Sequence, residues 1–165
     1  KMIRLDDQDL KILLTLQREG RITKVKLAEA VNLSPSPCWE RLKRLEDLGV
    51  ISGYHAHINL EMLAKPTMVL TEVTLRHHQH EDFTTFEHAV QDIPEIVECY
   101  ALGGGVDYML KVLCRDVDSY QRLIDSLLIA GIGIDRYFTY IVTKKVKTTD
   151  FPPIETLLDP PVRNR

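Results

Sequence analysis

The chain has 165 residues, of which 44% are hydrophobic and 27% are charged. This balance is typical of a folded protein with a sizeable core and excludes a disordered or fibrous chain. No apolar run reaches the roughly 18 residues that a membrane-spanning helix needs, and the first residues lack the pattern of a secretory signal. We therefore expect a soluble, cytoplasmic protein of one domain or two small ones.

The net charge of −3 hides an uneven distribution of charge along the chain. Residues 1–54 hold ten Lys and Arg against eight Asp and Glu, whereas the remainder holds eleven against sixteen. A mildly basic first third followed by an acidic remainder favours a small DNA-reading head on a body with another role.

The three cysteines, Cys38, Cys99 and Cys114, are widely spaced and odd in number. They therefore indicate neither a disulfide framework nor a zinc site of the CxxC type. All three lie in apolar stretches, so we expect them to be buried thiols.

The first third of the chain predicts three short helices. Apolar residues recur at helical spacing over 5–16 after a run of aspartates suited to a helix N-terminus, and Gly20 closes this helix. Thr23 is expected to cap a second helix and Asn32 to end it. The predicted inner face of the second helix consists of Val25, Leu27, Ala28 and Val31.

The third helix is predicted over residues 37–48. Ser36 is a good N-cap, and Pro37 suits the first helical position because its missing N–H would have no partner there. Gly49 fits the left-handed position after the last turn. The predicted inner side consists of Cys38, Leu42, Leu45 and Leu48.

Three helices with a tight second connection predict a helix-turn-helix whose third helix enters the major groove of DNA. Lys43 and Arg44 are expected on phosphate or guanine, and Trp39 on sugar or a thymine methyl. Glu40 either accepts from cytosine N4 or orients Arg44; on a purely solvated face it would instead pair with Lys43 and Arg44. The candidate DNA-binding residues are Ser34, Ser36, Pro37, Trp39, Glu40, Arg41, Lys43 and Arg44.

The rest of the chain predicts a second domain of alternating strands and helices. Residues 50–63 alternate around Gly53, as a short hairpin or ribbon would, and Pro66 marks the domain start. The following elements are strand 67–76, helix 80–93, strands 95–102 and 107–114, helix 116–129 and strand 133–147. This β-α-β-β-α-β order predicts a ferredoxin-like split βαβ sandwich, and hence an α+β protein.

Helices cover one face of such a sheet. The other face carries apolar side chains, so we expect another element or chain to pack against it. The residues expected on it are Met68, Leu70, Leu110, Val112 and Ile141 or their strand neighbours. We expect a second copy of the domain to cover this face, which would give a homodimer with two DNA-reading heads. The predicted divisions are a head at 1–53, a linker or ribbon at 54–66, the sandwich at 67–150, and a tail at 151–165 that extends over a neighbour or frays.

Four stretches in order resemble one known family. They are "LDDQDLKILLTLQREGRIT" (5–23), "LAEAVNLSPSPCWERLKRLEDLGVISGY" (27–54), "AVQDIPEIVECYALGGGVDYMLKV" (89–112) and "FTYIVTKKVK" (138–147). The chain is similar to the leucine-responsive regulatory protein/AsnC family of bacterial and archaeal transcription regulators. The resemblance implies a winged-type helix-turn-helix and a ferredoxin-like domain that dimerises and often builds octamers or other higher even assemblies.

The resemblance also implies that an amino acid or related metabolite binds between dimers, near "GGGVD" and the last strand. The implied effector-binding residues are Gly103, Gly104, Gly105, Asp107, Tyr137 and Thr139. The glycines themselves predict a tight β-turn, since a phosphate-binding loop would open a helix rather than join two strands. A zwitterion could use the turn's N–H groups for its carboxylate and Asp107 for its ammonium.

The histidine tract at 77–80, with His88 nearby, raises a metal-dependent repressor as a further possibility. The tract lies at a strand-to-helix junction without cysteine, which favours a polar loop, so we expect no metal and no cofactor. No serine lies in a GxSxG context, so we expect no enzyme.

These features favour a DNA-binding transcription regulator that responds to an amino acid or related small metabolite. The alternative is an amino-acid-binding regulatory or enzymatic protein whose helical head docks a protein partner. Only DNA binding through Lys and Arg should weaken steeply with ionic strength.

Overall fold

The structure, a computed structural model, describes residues 3–149 and 151–158. The chain forms two compact units. The first unit, which we call the head, combines residues up to His57 with those from Lys147 onward, and the second unit is Ile58–Val146. Among the described residues, no helix has both the length and the apolar character needed to cross a membrane.

The head contains the three predicted helices, α1 (Asp7–Arg18), α2 (Lys24–Ala30) and α3 (Pro35–Asp47). Their shared core is Ile12, Leu13, Leu27, Ala28, Val31, Cys38, Leu42 and Leu45. Val25 and Leu48 are exposed, so their predicted place on the inner faces is wrong. Leu48 is the C-cap of α3 and follows the last helical turn, where the helical periodicity no longer fixes the direction of a side chain.

The predicted cap of α2 and the predicted ends of α2 and α3 are confirmed. The Thr23 side chain accepts a hydrogen bond from the backbone N–H of Lys26 and caps α2. Asn32 (φ 55°) and Gly49 (φ 70°) adopt the left-handed conformation that ends a helix.

The start of α3 differs from the prediction. Ser34, not Ser36, is the N-cap, and Pro35, not Pro37, is the first helical residue. Both prolines fit because the first N–H groups of a helix have no intrahelical partner; the backbone N–H of Cys38 donates to the carbonyl of Ser34 at 3.2 Å. A pair of prolines one residue apart therefore fits the first turn at either register, which is why the sequence pattern was ambiguous.

Residues 50–63 contain no strand, so the predicted hairpin or ribbon is wrong. The segment is irregular except for a 3₁₀ helix at Leu60–Met62, which the Asn59 side chain caps. Alternation of side chains alone makes no strand when no partner supplies the backbone hydrogen bonds.

The described part of the tail, which was predicted to extend over a neighbour or fray, contacts the head of its own chain. It forms a short helix, α6 (Ile154–Leu157), and Ile154 packs against the core of the head. The side chain of Gln17 donates to the carbonyl of Pro152 at 3.3 Å. Residue 150, where the predicted sandwich ends, and residues 159–165 of the predicted tail lie outside the described residues.

The second unit confirms the β-α-β-β-α-β order. Its elements are β1 (Thr67–Leu75), α4 (His80–Gln91), β2 (Ile96–Ala101), β3 (Tyr108–Cys114), α5 (Val117–Ile129) and β4 (Ile134–Ile141). The antiparallel sheet has the order β2-β3-β1-β4. The last strand ends at Ile141, well before the predicted residue 147.

One face of the sheet packs against α4 and α5, with Phe86 and Ile124 at 0% and 2% exposure in that core. Leu110 and Val112 belong to this core, and Ile141 pairs with Val69 on the same face, so the open face carries their strand neighbours, the other predicted alternative. A strand alternates its faces, so an error of one residue moves a side chain to the other face. The apolar residues of the open face are Met68, Leu70, Tyr100, Met109, Leu113, Phe138 and Tyr140.

Cys38 and Cys114 are buried as expected, but Cys99 is exposed. Cys99 lies on β2, an edge strand of the sheet that the helices cover poorly. Burial against neighbouring groups and the charge of Glu87 nevertheless raise the pKa of the Cys99 thiol, so it is not activated as a nucleophile.

Candidate nucleic-acid interface and effector site

The outward side of α3 divides into two strips. One strip carries Ser36, Trp39, Glu40 and Lys43, all exposed. The other carries Pro37, Arg41 and Arg44, and it adjoins the N-terminal turn of α1. Cys38, Leu42 and Leu45 anchor the opposite side of α3 in the core, so both strips are fixed relative to α1 and α2.

Two aspartates of α1 hold the second strip. Nη1 of Arg41 lies 2.6 Å from Oδ2 of Asp6 and 2.9 Å from Oδ1 of Asp9. Arg44 pairs with the other carboxylate oxygen of Asp9. Asp9 is 1% exposed, and burying a carboxylate without such partners is costly. The two arginines, which the sequence assigned to DNA, therefore also fasten α3 to α1.

The same aspartates cap α1. Asp6 accepts from the backbone N–H groups of Gln8 and Asp9, while Asp9 accepts from the backbone N–H of Asp6. Partial burial acts to raise the pKa of Asp6, but the bonds from Asp9 and Arg41 outweigh it and lower that pKa. The bonds to Asp6 and Asp9 raise the pKa of Arg41. All of these bonds favour the ionised forms of both groups.

Lys24 is a residue of this surface that the sequence analysis missed. Its Nζ lies 3.1 Å from the centroid of the Trp39 ring, in cation–π contact. Lys24 is the first residue of α2, and in a helix-turn-helix the starts of the second and third helices lie near each other. A lysine directly after the Thr23 cap was the signal that could have indicated it.

The N-terminal turn of α3 presents hydroxyl groups rather than a full set of N–H donors. Pro35 and Pro37 each lack an N–H, so fewer backbone donors remain there for an anion. Ser34 makes no side-chain capping hydrogen bond, and both Ser34 and Ser36 are exposed. Their hydroxyls can therefore point outward to a phosphate oxygen.

The glycine loop joins β2 to β3 and is closed by a hydrogen bond from the N–H of Leu102 to the carbonyl of Asp107, 2.8 Å long. The loop joins two strands as predicted, but it is wider than the predicted tight β-turn, because its closing bond joins residues five positions apart. A Cβ added at Gly103, Gly104 or Gly105 would meet no atom within 4 Å, so the loop borders open space. Only Gly104, with φ of 153°, has a conformation that favours glycine.

Asp107 lies at the same end of the sheet, and its carboxylate already has partners. Its Oδ2 accepts from the backbone N–H of Leu75 at 2.7 Å and lies 3.1 Å from Nε2 of His78. The side chain of Asp107 is 17% exposed. The sequence favoured a polar loop around His78 over a metal site and did not indicate its contact with Asp107. In the described residues no group of three or more His, Cys, Asp or Glu could hold a metal ion.

Tyr137 and Thr139 lie farther from the loop. The strand register places Tyr137 opposite Val73, whose carbonyl accepts from the N–H of Asp107 on the other side. Thr139 is two residues further along and hydrogen-bonds to Tyr120, 2.7 Å between the hydroxyl oxygens. The structure thus brings the glycines, Asp107 and His78 together, with Tyr137 one strand away and Thr139 beyond it.

Two family models match the chain. A winged helix-turn-helix DNA-binding model matches residues 5–52, and a model described as the Lrp/AsnC ligand binding domain matches residues 68–151. The two matches cover the head helices and the sheet domain in turn.

Known proteins match over most of their length. The transcriptional regulatory protein DoeX of Halomonas elongata is 57% identical over 145 residues, which are 88% of this chain and 92% of that protein. The leucine-responsive regulatory protein of Haemophilus influenzae is 43% identical over 147 residues, 89% of each chain.

The fold is also similar to that of solved regulator structures. A transcriptional regulator of Neisseria meningitidis, solved as its L-Met complex, superposes with a TM-score of 0.86 at 35% identity. The match covers 94% of this chain and 100% of that one. The chain therefore belongs to the Lrp/AsnC family and is a DNA-binding transcription regulator with a ligand-binding domain, not an enzyme.

Proposed function

We propose that the strip of α3 formed by Ser36, Trp39, Glu40 and Lys43 enters the major groove, with Ser34 on a flanking phosphate. The observation that carries this proposal is the exposure of that strip on a helix whose other side is anchored in the core. Pro37, Arg41 and Arg44 border the groove, where the two arginines face phosphate. Because Asp6 and Asp9 offset their positive charge, these arginines attract phosphate less strongly than unpaired arginines would.

Affinity for operator DNA, measured across a range of salt concentrations, tests this proposal. Wild-type binding should weaken log-linearly with salt. Lys43→Gln should lower affinity at least about tenfold and reduce the salt slope by about one, and Lys43→Ala with Arg44→Ala should abolish binding. Lys11→Gln, an exposed lysine on α1, is the matched control and should bind like wild type. Binding that ignores salt and Lys43 would instead favour a head that docks a protein.

We infer that an amino acid or a related small metabolite binds at the loop formed by residues 102–107. The open space beside the glycines leaves room for a ligand carboxylate, and Asp107 supplies a fixed negative charge for an ammonium group. The L-Met complex of the Neisseria meningitidis regulator supports this ligand class. Tyr137 and Thr139, on β4, would contact the ligand's side chain rather than its charged groups.

A thermal-shift screen of amino acids and their catabolites, with L-Met included, tests this proposal, because a ligand bound only by the native chain raises Tm. Asp107→Asn keeps an acceptor for the N–H of Leu75 but removes the charge. It should therefore keep most of the unliganded Tm and lose the ligand-induced rise. Asp82→Asn, on α4, is the control. A rise that survives in Asp107→Asn would rule out this site.

We further propose that the open sheet face pairs with a second copy of the chain, and that dimers associate into higher even assemblies. Leu70, Phe138 and Tyr140 give this face an apolar surface in the single chain. Leu70→Asp should yield monomers in analytical ultracentrifugation, whereas Ile129→Asp, at an exposed position of α5, should leave the mass unchanged. A dimeric Leu70→Asp would exclude this face. Because its partner is DNA, we place the protein in the cytoplasm.

A further inference from the structure

We propose that Lys24 and Trp39 act as a single DNA-reading unit that contacts the methyl group of a thymine in the major groove. This inference rests on the proposed DNA-binding function and deepens it, since it assigns Lys24 to the interface and a base to Trp39. The observation behind it is the contact between the two side chains, 3.1 Å from Nζ to the ring centroid.

The two residues come from different helices, so their contact is a feature of the folded head. Lys24 begins α2, and Trp39 lies in the second turn of α3. The ammonium lies over one face of the indole, while Trp39 as a whole is 40% exposed. Part of the Trp39 surface is thus available to a ligand outside the protein.

The contact preorganises the indole. A cation over an aromatic face is attracted by the ring's quadrupole, and this attraction limits the rotation of a side chain that would otherwise be mobile at the surface. A restrained side chain loses less conformational entropy when it binds. The same lysine keeps an ammonium at the edge of the groove, where it can approach a phosphate oxygen.

The chemistry of the strip indicates which base feature Trp39 meets. Within α3, Trp39 is the only exposed large hydrophobic residue, and its neighbours Glu40 and Lys43 are charged. Charged side chains read the donors and acceptors of base edges, whereas the apolar feature of the major groove is the C5-methyl of thymine. The indole edge therefore matches a thymine, and Glu40 and Lys43 match polar edges beside it.

The test uses a duplex selected from random sequences by the wild-type full-length chain. Each thymine of that operator is replaced in turn by deoxyuridine, which removes only the methyl group. At one position in each half-site, wild-type affinity should fall about fourfold, as expected for one methyl group taken out of an apolar contact. Trp39→Ala should bind the two duplexes equally at that position.

The lysine variants test whether the two side chains act as a unit. Lys24→Gln should reduce the fourfold discrimination to less than about twofold, and Lys24→Arg, which keeps a cation over the ring, should retain it. Lys26→Gln, an exposed neighbour on α2, is the control; it should change affinity for both duplexes equally. The proposal would be overturned if Lys24→Gln also changed affinity for both duplexes equally, because Lys24 would then contribute charge alone.

A second readout needs no DNA. The chain contains one tryptophan and six tyrosines, so fluorescence excited at wavelengths that tyrosine does not absorb reports on Trp39 alone. Lys24→Gln should shift the emission of the unliganded chain, and an unchanged spectrum would show that the contact is absent. If Lys43→Gln has no effect on DNA affinity, the proposed function fails; if Lys43→Gln acts as expected and no thymine responds, only this inference fails.

Discussion

The head and the sheet domain differ in how their candidate site residues are held. In the head, Trp39 and Lys43 are exposed, whereas Arg41 and Arg44 are paired with aspartates of α1. In the sheet domain, Asp107 is bonded to Leu75 and His78, and Thr139 is bonded to Tyr120. A ligand at Asp107 must therefore compete with or extend an existing hydrogen-bond network, whereas DNA can meet Trp39 and Lys43 at a surface that is already exposed.

The two units also differ in the polar groups that they bury. The head buries the carboxylate of Asp9 between two arginines. The sheet domain buries the neutral hydroxyl of Thr71, which lies 2.9 Å from the hydroxyl of Tyr120. A buried charge is costlier to leave without its partners than a buried hydroxyl, so the head should be the more sensitive unit to loss of one polar contact.

The largest expected effect follows from removing the charge of Asp9. Asp9→Asn leaves Arg41 and Arg44 without their shared anion and should lower the free energy of unfolding of the head by about 3 kcal/mol, near the low end for a broken buried pair because both arginines are partly exposed. Urea unfolding followed by Trp39 fluorescence measures this change. Asp7→Asn, exposed in the same helical turn, should cost under about 1 kcal/mol. Equal losses in the two variants would show that the pairing stabilises nothing.

The contrast between the units also explains what could be predicted from sequence. The buried stripe of α3 follows from helical periodicity, a local property, and Cys38, Leu42 and Leu45 are buried as predicted. The pairing of Arg41 and Arg44 with Asp9 joins residues more than 30 positions apart. No local pattern indicates such a contact, because it depends on how α1 packs against α3.

The sheet domain shows the same limit in another form. The order of its strands and helices along the chain was predictable from alternation and turn residues, but the sheet face on which each residue lies was not. The sequence could not decide between Leu110 and Val112 and their strand neighbours for the open face, because a one-residue shift in register exchanges the two faces. The partners of Asp107 depend on which strand end lies beside the glycine loop, and this is set by the order of strands across the sheet.

A smaller effect is expected in the sheet domain from Tyr120→Phe. This change deprives the fully buried hydroxyl of Thr71 of its partner and should lower the free energy of unfolding by about 2 kcal/mol. Urea unfolding followed by far-UV circular dichroism measures the loss. Thr139→Val removes only the bond at the exposed end and should cost about half as much. A larger loss in Thr139→Val than in Tyr120→Phe would contradict the hydrogen-bond order read from the structure.

The smallest expected effect concerns acid, and it compares the cap of α5 with the cap of α1. Asp116 caps α5: it accepts from the hydroxyl and the backbone N–H of Ser119 and from Arg115, at 2.6, 2.7 and 3.0 Å. These bonds, that of the Ser119 hydroxyl first, lower the pKa of Asp116 from 3.8 to about 2. Because the folded-state pKa lies below the unfolded one, the stabilisation is complete above about pH 4 and is lost as the pH falls toward 2.

Asp116→Asn separates this titration from capping itself, since asparagine caps a helix well but does not ionise. Unfolding followed by circular dichroism between pH 4 and pH 2 should show a shallower loss of stability for Asp116→Asn than for wild type. Asp6→Asn should flatten the same window for the head, followed by Trp39 fluorescence, because the pKa of Asp6 is also lowered. Parallel curves for wild type and Asp116→Asn would mean that this carboxylate gains nothing from its partners in the folded state, and that the acid sensitivity of the sheet domain arises elsewhere.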